Sequence, residues 1–383
     1  MTADVEVADS LASVPPSQWN ALAGDHPALR HEFLHALHET GCACPDTGWD
    51  PCYLLVREGG ALAGAMPLYL KSHSYGEYVF DWAWADAYRR HGLDYYPKLV
   101  AAVPFTPVPG PRLLAANDGH RALLARGALE LARREGASSL HCLLPFPDEL
   151  PVLESAGLMP RRGVQFHWRN AGYADFEAFL ATLNHDRRKK IRQERRRVRE
   201  AGIEFSWIAG GDVDAGLWSF FTRCYDDTYR RHLSTPYLNR EFFARIGRDL
   251  PGNVVLFVAR RGREPVAAAL CLRSATRLYG RYWGAAEQHA GLHFEACYYQ
   301  AIEYAIAHGL EAFEGGAQGE HKMARGLMPV ETASAHWLAH PQFAAAVRDY
   351  LRRERTGMAE YIDELREHAP FRHETVAPPA RNS

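Results

Sequence analysis

Between Phe313 and Pro329 the sequence places four glycines among glutamine, glutamate, histidine, lysine and arginine side chains. A phosphate loop for nucleotides would need Lys directly after its last Gly, followed by Ser or Thr. Here Glu320 and His321 separate the third glycine from Lys322. The spacing therefore excludes nucleoside-triphosphate chemistry of that kind.

The side chains of this stretch are of the kinds that acyl transfer to an amine requires. That reaction needs a neutral amine, a stabilised oxyanion and a protonated leaving group. We expect Glu314, at the end of a predicted strand, to receive the amine proton or hold the ammonium, and His321 to relay the proton. Lys322 and Arg325 offer positive charge to an oxyanion or a donor phosphate, and Gln318 is a candidate substrate contact. The alternative is a glycine-rich surface loop whose charges are solvated.

Two other segments supply candidate substrate contacts. In GRYWGAAEQ, predicted to be a strand that runs into a loop, Tyr282 and Trp283 offer a platform for a planar or peptide substrate. The alternative is a core aromatic pair, because a strand buries one of two neighbouring side chains. Tyr299 flanks the apolar stripe of the next predicted helix near its N-terminus and is a further candidate.

A basic run occupies residues 184–202. Nine of the thirteen residues from Arg187 to Arg199 are Lys or Arg, whereas Ile191 and Val198 lie seven residues apart and form an apolar stripe on a helix. Such a helix can pack by one edge and present its basic side chains to phosphates. The alternative is a solvated helix paired with acids elsewhere. The candidate donor-binding residues, which share one face at helical spacing, are Arg188, Arg192 and Arg195.

The composition is that of an ordinary globular protein. Of 383 residues, 47% are hydrophobic and 23% charged, and the formal net charge is -2. No overall attraction to nucleic acid or acidic membranes follows, so any such attraction must be local. Residues 1–10 carry acids where a secretory signal carries bases, and no apolar run approaches about 20 residues, so we expect a cytoplasmic protein without membrane insertion. Seven scattered cysteines fit reduced thiols, and no metal site is predicted.

The elements that must position these groups recur twice along the chain. Each copy is predicted to run from helices through a β-hairpin to a helix and a final buried strand. The matching segments are 53–71 with 256–274, and 128–142 with 301–315. We expect the join after Arg169, which gives a first domain at 1–169 and a second at 170–383 that carries the basic helix at 184–202.

This order of elements is the layout of the acyltransferase superfamily called GNAT, in which a splayed central sheet admits the acyl donor. We therefore expect an α/β fold of tandem GNAT-like domains, each a mixed central sheet flanked by helices. The runs that resemble a bacterial family of predicted N-acyltransferases, related to the Fem peptidoglycan-bridge transferases, are FDWAWADAY, YYPKLVAAVPFTPVPGPRLL, RYWGAAEQHAGLHFEACYYQAIEYAIAHGL and GAQGEHKMARGLMP. The resemblance covers about residues 15 to 370, nearly the whole chain.

The resemblance bears on the donor and on the acceptor. Fem relatives transfer amino acids from aminoacyl-tRNA to a peptide amine, whereas ordinary GNAT enzymes use acyl-CoA and carry an Arg/Gln-x-x-Gly-x-Gly/Ala turn before the helix that receives the pyrophosphate. This sequence has EQHAGLHFEA and AANDGHRALL at the two corresponding places, and neither matches that turn. In the first copy, Asp81, Lys98 and Arg112 lie in family-like runs and are candidate acceptor contacts, Asp81 for a cationic acceptor. The alternative for each of the three is a structural role.

The sequence thus predicts an N-acyltransferase that forms an amide by direct transfer of an acyl or aminoacyl group to an amine-bearing small molecule or peptide. We expect Glu314, His321 and Lys322 at the chemistry, and the first domain with Tyr282 to bind the acceptor. Aminoacyl-tRNA is the favoured donor, acyl-CoA is the alternative, and either is a substrate, so no separate cofactor is expected. An alternative of a different functional class is a non-catalytic RNA-binding protein, which would also contain the basic helix.

Overall fold

The computed structural model describes residues 4–316 and 319–372, so Ala317 and Gln318 lie outside the described part. The N-terminal half is a mixture of short strands and helices. Its strands are β1 (Asp4–Ala8), β2 (Trp49–Pro51), β3 (Tyr53–Glu58), β4 (Ala61–Met66), β5 (Leu68–Lys71), β6 (Lys98–Ala101), β7 (Leu114–Ala115), β8 (Ser139–Leu143) and β9 (Met159–Arg169). Its helices are α1 (Pro16–Ala23), α2 (His31–Glu39), α3 (Trp82–Arg90), α4 (Asp118–Arg134) and α5 (Leu150–Ser155).

The C-terminal half opens with helices and continues with a long antiparallel meander. Its strands are β10 (Ile203–Ala209), β11 (Val254–Arg261), β12 (Glu264–Arg273), β13 (Arg277–Ala285), β14 (Ala312–Glu314) and β15 (Met328–Leu338). Its helices are α6 (Phe176–Thr182), α7 (His185–Glu200), α8 (Ala215–Arg231), α9 (Arg240–Asp249), α10 (Leu292–Phe294), α11 (Gln300–Ala307) and α12 (Pro341–Glu367). A π-helical turn, Glu295–Tyr299, joins α10 to α11.

Short polar residues set where several of these helices begin. The side chains of Asn117, Asp175, Asn184, Asp214 and Asn239 each accept a hydrogen bond from a backbone N–H three residues further on. An Asn or Asp at this position satisfies one of the N–H groups that the first turn leaves unpaired. The start of the basic helix α7 is therefore fixed locally, by Asn184.

One mixed sheet runs through both halves. Among the described residues it has eleven strands in the order β10-β11-β12-β13-β14-β9-β15-β8-β6-β5-β2, and a four-stranded sheet, β1-β3-β4-β7, lies beside it. The central strands are buried on both faces: Leu256 and Leu270 pack on the side of α8 and α9, whereas Phe257 and Ala269 pack on the side of α11. Strands covered on both faces read as nearly continuous apolar runs, as β11 and β12 do.

The repeat that the sequence predicts is present. Strands β3 and β4 form one hairpin and β11 and β12 another, and the turn glycines Gly59 and Gly262 have φ values of 58° and 63°. Helices α4 and α11 each lead into a strand that pairs in parallel with a strand earlier in the chain, β8 with β6 and β14 with β13. Gly136 and Gly309 follow these helices at φ 64° and 62°. Only glycine adopts such values at no steric cost.

The two halves exchange their last strands. β9, the last strand of the N-terminal half, pairs with β14 of the C-terminal half. β15 in turn inserts between β9 and β8, with Ser334 opposite Leu143. The predicted division at 169/170 falls at the end of β9 and stays a prediction, because the sheet continues through this point. No helix in the described ranges, 4–316 and 319–372, is long and apolar enough to cross a membrane.

Candidate active site

A cleft opens where β13 and β14 separate. The two strands pair in parallel over only three residues each, ending with Tyr279 opposite Glu314. Beyond that point Gly280 and Gly315 begin the two walls of a cleft of about 580 Å³. A Cβ at Gly315 would lie 2.5 Å from Cδ2 of the buried Leu327, so a larger residue here would require the Leu327 side chain to move. The parting strands give the cleft access to both faces of the sheet.

Aromatic side chains from distant parts of the chain line this cleft. Trp283 comes from β13 and Phe313 from β14, Tyr225 and Tyr229 come from α8, and further rings come from the N-terminal half. The aromatic lining residues are Tyr75, Tyr78, Phe80, Trp82, Tyr225, Tyr229, Tyr237, Tyr282, Trp283, Tyr298 and Phe313. Rings of this kind supply large apolar faces with polar tips. The cleft can therefore hold an extended organic substrate between the halves of the protein.

The arginine, lysine and histidine side chains that line the cleft give it a basic character. They are Arg281, His293, His321 and Lys322, and among the described lining residues there is no Asp or Glu. Burial lowers the pKa of His293 to about 4, and the nearby charges of His321 and Arg325 act in the same direction, so His293 is neutral near pH 7. A positive potential over an aromatic cleft suits a substrate that develops negative charge.

Lys322 is the cation placed deepest in this cleft. Its Nζ lies against the glycine loop and donates a hydrogen bond of 3.0 Å to the carbonyl oxygen of Gly316, while the side chain is buried. Burial lowers the pKa of Lys322 to about 8; the Cys297 thiol opposes that shift, and the charge of Arg281 adds to it. The ammonium is still mostly protonated at pH 7. Lys322 therefore lines the cleft in the structure, and its catalytic role stays a prediction.

His321 lies at the rim of the same cleft. Its Nε2 is 3.2 Å from the hydroxyl of Tyr298, and its side chain is exposed. Partial desolvation of the ring by its neighbours, with the charges of Lys322 and Arg325, lowers the pKa of His321. A neutral imidazole beside a lysine ammonium is able to accept a proton from an attacking amine.

A β-bulge in β13 shapes the wall opposite Lys322. Leu270 on β12 faces Tyr282, but the next residue, Cys271, faces Gly280, which leaves Arg281 as an extra residue in β13. A bulge interrupts the ladder and re-aims the side chains around it. The guanidinium of Arg281 and the hydroxyl of Tyr282 both donate to the carbonyl oxygen of Phe105, at 2.7 and 3.0 Å. The bulge thereby ties the cleft to the N-terminal half.

The predicted roles of Arg325 and Tyr299 in substrate binding do not fit their places in the structure. Arg325 Nη2 lies 3.2 Å from the carboxylate of Glu194 on α7, and its guanidinium lies over the ring of Phe294 at 3.4 Å from the centroid. The Tyr299 hydroxyl also bonds to Glu194. Neither lines the cleft. Arg325 instead holds the loop to α7, and its Nη1 donates to the carbonyl oxygen of His321 at 2.9 Å.

Glu314 is also placed differently from the prediction. Phe313 and Glu314 alternate across β14, so that Phe313 faces the cleft and Glu314 the opposite side of the sheet. There it lines a second cavity, with Oε1 3.2 Å from Arg277 Nη1 and Oε2 3.9 Å from His167 Nε2. Burial raises the pKa of Glu314 to about 7. The structure does not bring Glu314 together with His321 and Lys322.

Asp81 and Lys98 form a buried ion-pair cluster behind one wall of the cleft rather than an acceptor contact. Lys98 is fully buried and its Nζ bonds to Glu77 Oε2 at 2.8 Å, to Ser74 Oγ at 2.7 Å and to Asp81. The charge of Lys98 holds the pKa of Asp81 at about 2 although burial alone would raise it. Ser74 lines the cleft, so the cluster supports the wall from behind.

Arg112 is a structural residue that fills the space between the paired strands of the N-terminal half. Its guanidinium donates to the carbonyl oxygens of Val108, Gly110 and Leu143 at 2.7, 2.9 and 2.8 Å. It is 1% exposed. Leu143 is the last residue of β8, so the guanidinium lies at the end of that strand. The protein's own carbonyl oxygens thus occupy Nε, Nη1 and Nη2 of Arg112, and its predicted role in acceptor binding stays a prediction that this burial does not support.

The basic helix α7 packs as its apolar stripe predicts, with Ile191 and Val198 buried. Its predicted phosphate-binding face is partly occupied by the protein's own acids. Arg195 pairs with Glu295 and Glu303 at 3.0 and 2.5 Å and is mostly buried, and Arg192 pairs with an exposed glutamate of α6. Arg188 is half-buried. Positions on the outward face of α7 remain exposed, namely Lys189, Arg192, Arg196 and Arg197.

Gln318, a predicted substrate contact, lies outside the described residues. Most of the aromatic side chains that line the cleft were not identified from the sequence. Tyr225 and Tyr229 are four residues apart on α8, which puts both rings on one helical face. This four-residue spacing could have indicated that both rings face the same side of α8. The rings of Tyr78, in the loop before α3, and of Trp82, the first residue of α3, carried no comparable pattern, since their place depends on how the two halves pack.

Comparison with known families gives one match that spans most of the chain. Residues 10–373 match the FemAB-like family, described as a family of peptidoglycan biosynthesis and recognition. No curated protein is significantly similar to this sequence.

Solved structures share the fold at low sequence identity. FemX superposes with a TM-score of 0.56 and 12% identity, over 91% of this chain and 100% of FemX. A conserved protein of unknown function from Bacteroides thetaiotaomicron gives 0.52 and 10%, over 88% and 100%. A tandem GNAT protein from the clavulanic acid biosynthesis pathway gives 0.47 and 13%, over 89% and 99%. The predicted α/β fold of mixed sheets flanked by helices is confirmed, and it is the fold of FemX.

Proposed function

Because the chain belongs to the FemAB-like family, and is on that ground an acyltransferase, we propose that it forms an amide by moving an acyl or aminoacyl group from an activated ester directly to an amine. The acceptor is an amine-bearing small molecule or peptide. The favoured donor is aminoacyl-tRNA. The reaction takes place in the cleft between β13 and β14.

The proposed step balances without a cofactor. The nitrogen of a neutral amine attacks the acyl carbon, a C–N bond forms, and the carbonyl oxygen becomes an oxyanion. When the oxyanion collapses, the bond from the acyl carbon to the donor oxygen breaks. The proton lost by nitrogen is the proton that the departing oxygen gains. An acyl-CoA donor would give the same steps with sulfur as the leaving atom.

The observation that carries the proposal is the position of Lys322. It presents a buried ammonium to an aromatic cleft where two parallel strands part, and the described lining holds no carboxylate to neutralise it. A fixed positive charge in a site that excludes water stabilises an oxyanion far more than it would in bulk solvent. Lys322 is accordingly the proposed oxyanion cation.

The neighbouring groups divide the remaining tasks. His321, at the rim, is the proposed acceptor of the amine proton and hands it to the leaving group. The amine substrate is proposed to lie against the rings of Tyr282 and Trp283 and the wall from the N-terminal half, which Arg281 ties to β13. Holding both reactants in one orientation supplies a large part of the rate enhancement in reactions of this type.

The function can be tested without knowing either substrate. Purified protein is incubated with a set of aminoacyl-tRNAs and acyl-CoAs and a mixture of amino acids, lysine-containing peptides and amino sugars, and new amides are detected by mass spectrometry. We expect sustained amide formation with at least one donor, and much slower amide formation in Lys322→Met. Amide formation would exclude the alternative that the protein only binds RNA. Binding of tRNA with no product from any combination of donor and acceptor would contradict the proposal that the protein is an enzyme.

The pH profile should report the charge on Lys322. A lysine with a pKa of about 8 is cationic below that pH and loses its charge as the pH rises through it. We therefore expect kcat to fall on the alkaline side with an apparent pKa of about 8. The measurement is kcat from pH 6 to 10 at saturating substrates.

The matched variant is Lys322→Arg, because a guanidinium stays protonated throughout this range. Its residual activity should lack the alkaline limb. An alkaline limb at the same pH in Lys322→Arg would assign that ionisation to another group and would remove Lys322 from the role of oxyanion cation.

The donor should be distinguishable by its salt dependence. The exposed outward face of α7 offers several cations, and each phosphate that they neutralise releases counterions, so tRNA binding should weaken steeply as salt rises. Replacing Lys189, Arg192 and Arg196 by glutamine should weaken tRNA binding and make the slope shallower. Binding is measured by fluorescence anisotropy across a series of salt concentrations.

Arg195 provides the control for this experiment. Because it is mostly buried in pairs with Glu295 and Glu303, Arg195→Gln should lower stability more than it changes the salt slope. Absence of tRNA binding at low salt, or an unchanged slope in the triple variant, would contradict tRNA as donor. The proposal would then pass to acyl-CoA.

A further inference from the structure

A second cavity lies on the other side of the sheet from the candidate active site. It has a volume of about 530 Å³ and lies between the two halves of the protein. Phe313 faces the active-site cleft and Glu314 this cavity, so one strand, β14, separates the two spaces. The apolar part of its wall includes proline-rich segments with Pro109, Pro111, Pro145, Phe146, Pro147 and Leu150.

Two buried acceptor atoms among the lining residues have no hydrogen-bond partner in the described part of the chain. One is Oε2 of Glu314, whose other oxygen is 3.2 Å from Arg277. The other is Nδ1 of His26, whose Nε2 bonds to the carbonyl oxygen of Pro109 at 3.1 Å. Because the carbonyl can only accept, Nε2 carries the proton and Nδ1 is left as an acceptor.

Both acceptors adjoin the same side chain, Tyr279. Tyr279 pairs with Glu314 in the register of β13 and β14, and its ring lies 5.1 Å from the ring of His26. Glu314 and His26 are each 5% exposed. Buried polar atoms in folded proteins nearly always have a partner. Two unpaired acceptors in one cavity therefore call for a ligand that donates hydrogen bonds.

The same cavity also presents positive charge. Arg277 has 37% of its side chain exposed and Arg169 is exposed, and both line the cavity. The acids that line it besides Glu314 have other contacts: Asp25 accepts from the N–H of Ala275 at 3.1 Å, and Glu331 pairs with an arginine of β9 at 3.2 Å. The guanidinium groups of Arg277 and Arg169 can therefore donate hydrogen bonds to the carboxylate of a bound ligand.

We propose that this cavity binds a small zwitterion, an α-amino acid or the end of a short peptide, with its ammonium group on Glu314 Oε2 and His26 Nδ1 and its carboxylate on Arg277 and Arg169. The proline-rich wall receives an apolar side chain. The site is separate from the active-site cleft, and its occupation does not depend on the acyl-transfer proposal.

Isothermal titration calorimetry of the whole protein tests this proposal. The probes are L-leucine and leucyl-leucine, with N-acetyl-leucine, which lacks the ammonium, and leucinamide, which lacks the carboxylate. We expect saturable binding of L-leucine or the dipeptide, and binding of both blocked compounds weaker by about tenfold or more. Tighter binding of the dipeptide would assign the site to a peptide end, and tighter binding of leucine to a free amino acid. Equal binding of the blocked and unblocked compounds would overturn the proposal.

Variants locate the binding in this cavity. Glu314→Gln and Arg277→Met should each weaken binding by about tenfold or more, since each removes one charge-assisted contact. Arg277 is partly exposed, so its replacement keeps the test valid even if Glu314→Gln fails to fold. Lys322→Met, in the other cleft, should bind leucine as the wild type does. No saturable binding of either probe, unchanged binding in Arg277→Met, or equal loss in Lys322→Met would overturn the proposal.

Discussion

Replacing Lys322 by methionine should lower kcat/KM by about 10²-fold or more, the scale found when one fixed group that stabilises an oxyanion is removed. Methionine keeps much of the length of the lysine side chain and loses its charge. The hydrogen bond from Nζ to Gly316 is lost as well, but the loop keeps its tie to α7 through Arg325 and Glu194. Steady-state kinetics with the donor that supports amide formation measures the effect.

The kinetic parameter that changes in Lys322→Met distinguishes a role in catalysis from a role in substrate binding. If Lys322 acts only in the transition state, kcat and kcat/KM should fall together, whereas a loss confined to KM would assign Lys322 to ground-state binding. A suitable control is Arg263→Met, which removes a cation from the turn between β11 and β12, outside the cleft. Wild-type kinetics in Lys322→Met would remove the main support for the proposed mechanism.

Lys98→Met should unfold at a much lower urea concentration than the wild type. Without the ammonium, Glu77 and Asp81 would remain buried beside each other with no cation bonded to them. Removing one partner of a buried pair typically costs about 3–5 kcal/mol because the other charge stays buried and uncompensated. The free energy of unfolding, from urea denaturation at pH 7, is the measured quantity.

Two further variants test whether the loss of stability in Lys98→Met comes from the burial of its ion pair. Arg134→Met breaks an ion pair with Glu135 that is largely exposed, and it should change stability by less than about 1 kcal/mol. A double variant, Lys98→Met with Asp81→Asn, should be less unstable than the sum of the two single changes, because it removes a cation and an anion together. An unfolding midpoint of Lys98→Met equal to that of the wild type would show that the cluster does not stabilise the fold.

Local sequence signals predicted much of the fold. The turn glycines Gly59 and Gly262 mark the two hairpins, and the spacing of Ile191 and Val198 identifies the buried edge of α7. These features depend on residues a few positions apart, and the patterns of turns and helices are set over that distance. The glycine-rich loop with Lys322 was found in the same way, since its composition is visible in one short stretch.

The wrong placements have a common physical cause. Alternation along β14 shows that Phe313 and Glu314 face opposite sides, but both sides of a central strand are covered, so the sequence does not tell which side holds the active-site cleft. Charge runs pose the same problem. Arg195 lies 100 residues from Glu295 in the chain, and only the packed helices reveal that the pair exists.

The exchange of β9 and β15 changes what a cut in the backbone would do. A protease that cleaved after Arg169 would separate the chain into two pieces that remain clasped, because β15 stays inserted between β8 and β9 of the other piece. Produced alone, the piece 1–169 would present two bare strand edges where β15 belongs, and such edges pair readily with other chains. We therefore expect each segment to need the other to complete its sheet, so a split gene for this protein would have to deliver both products to the same place at the same time.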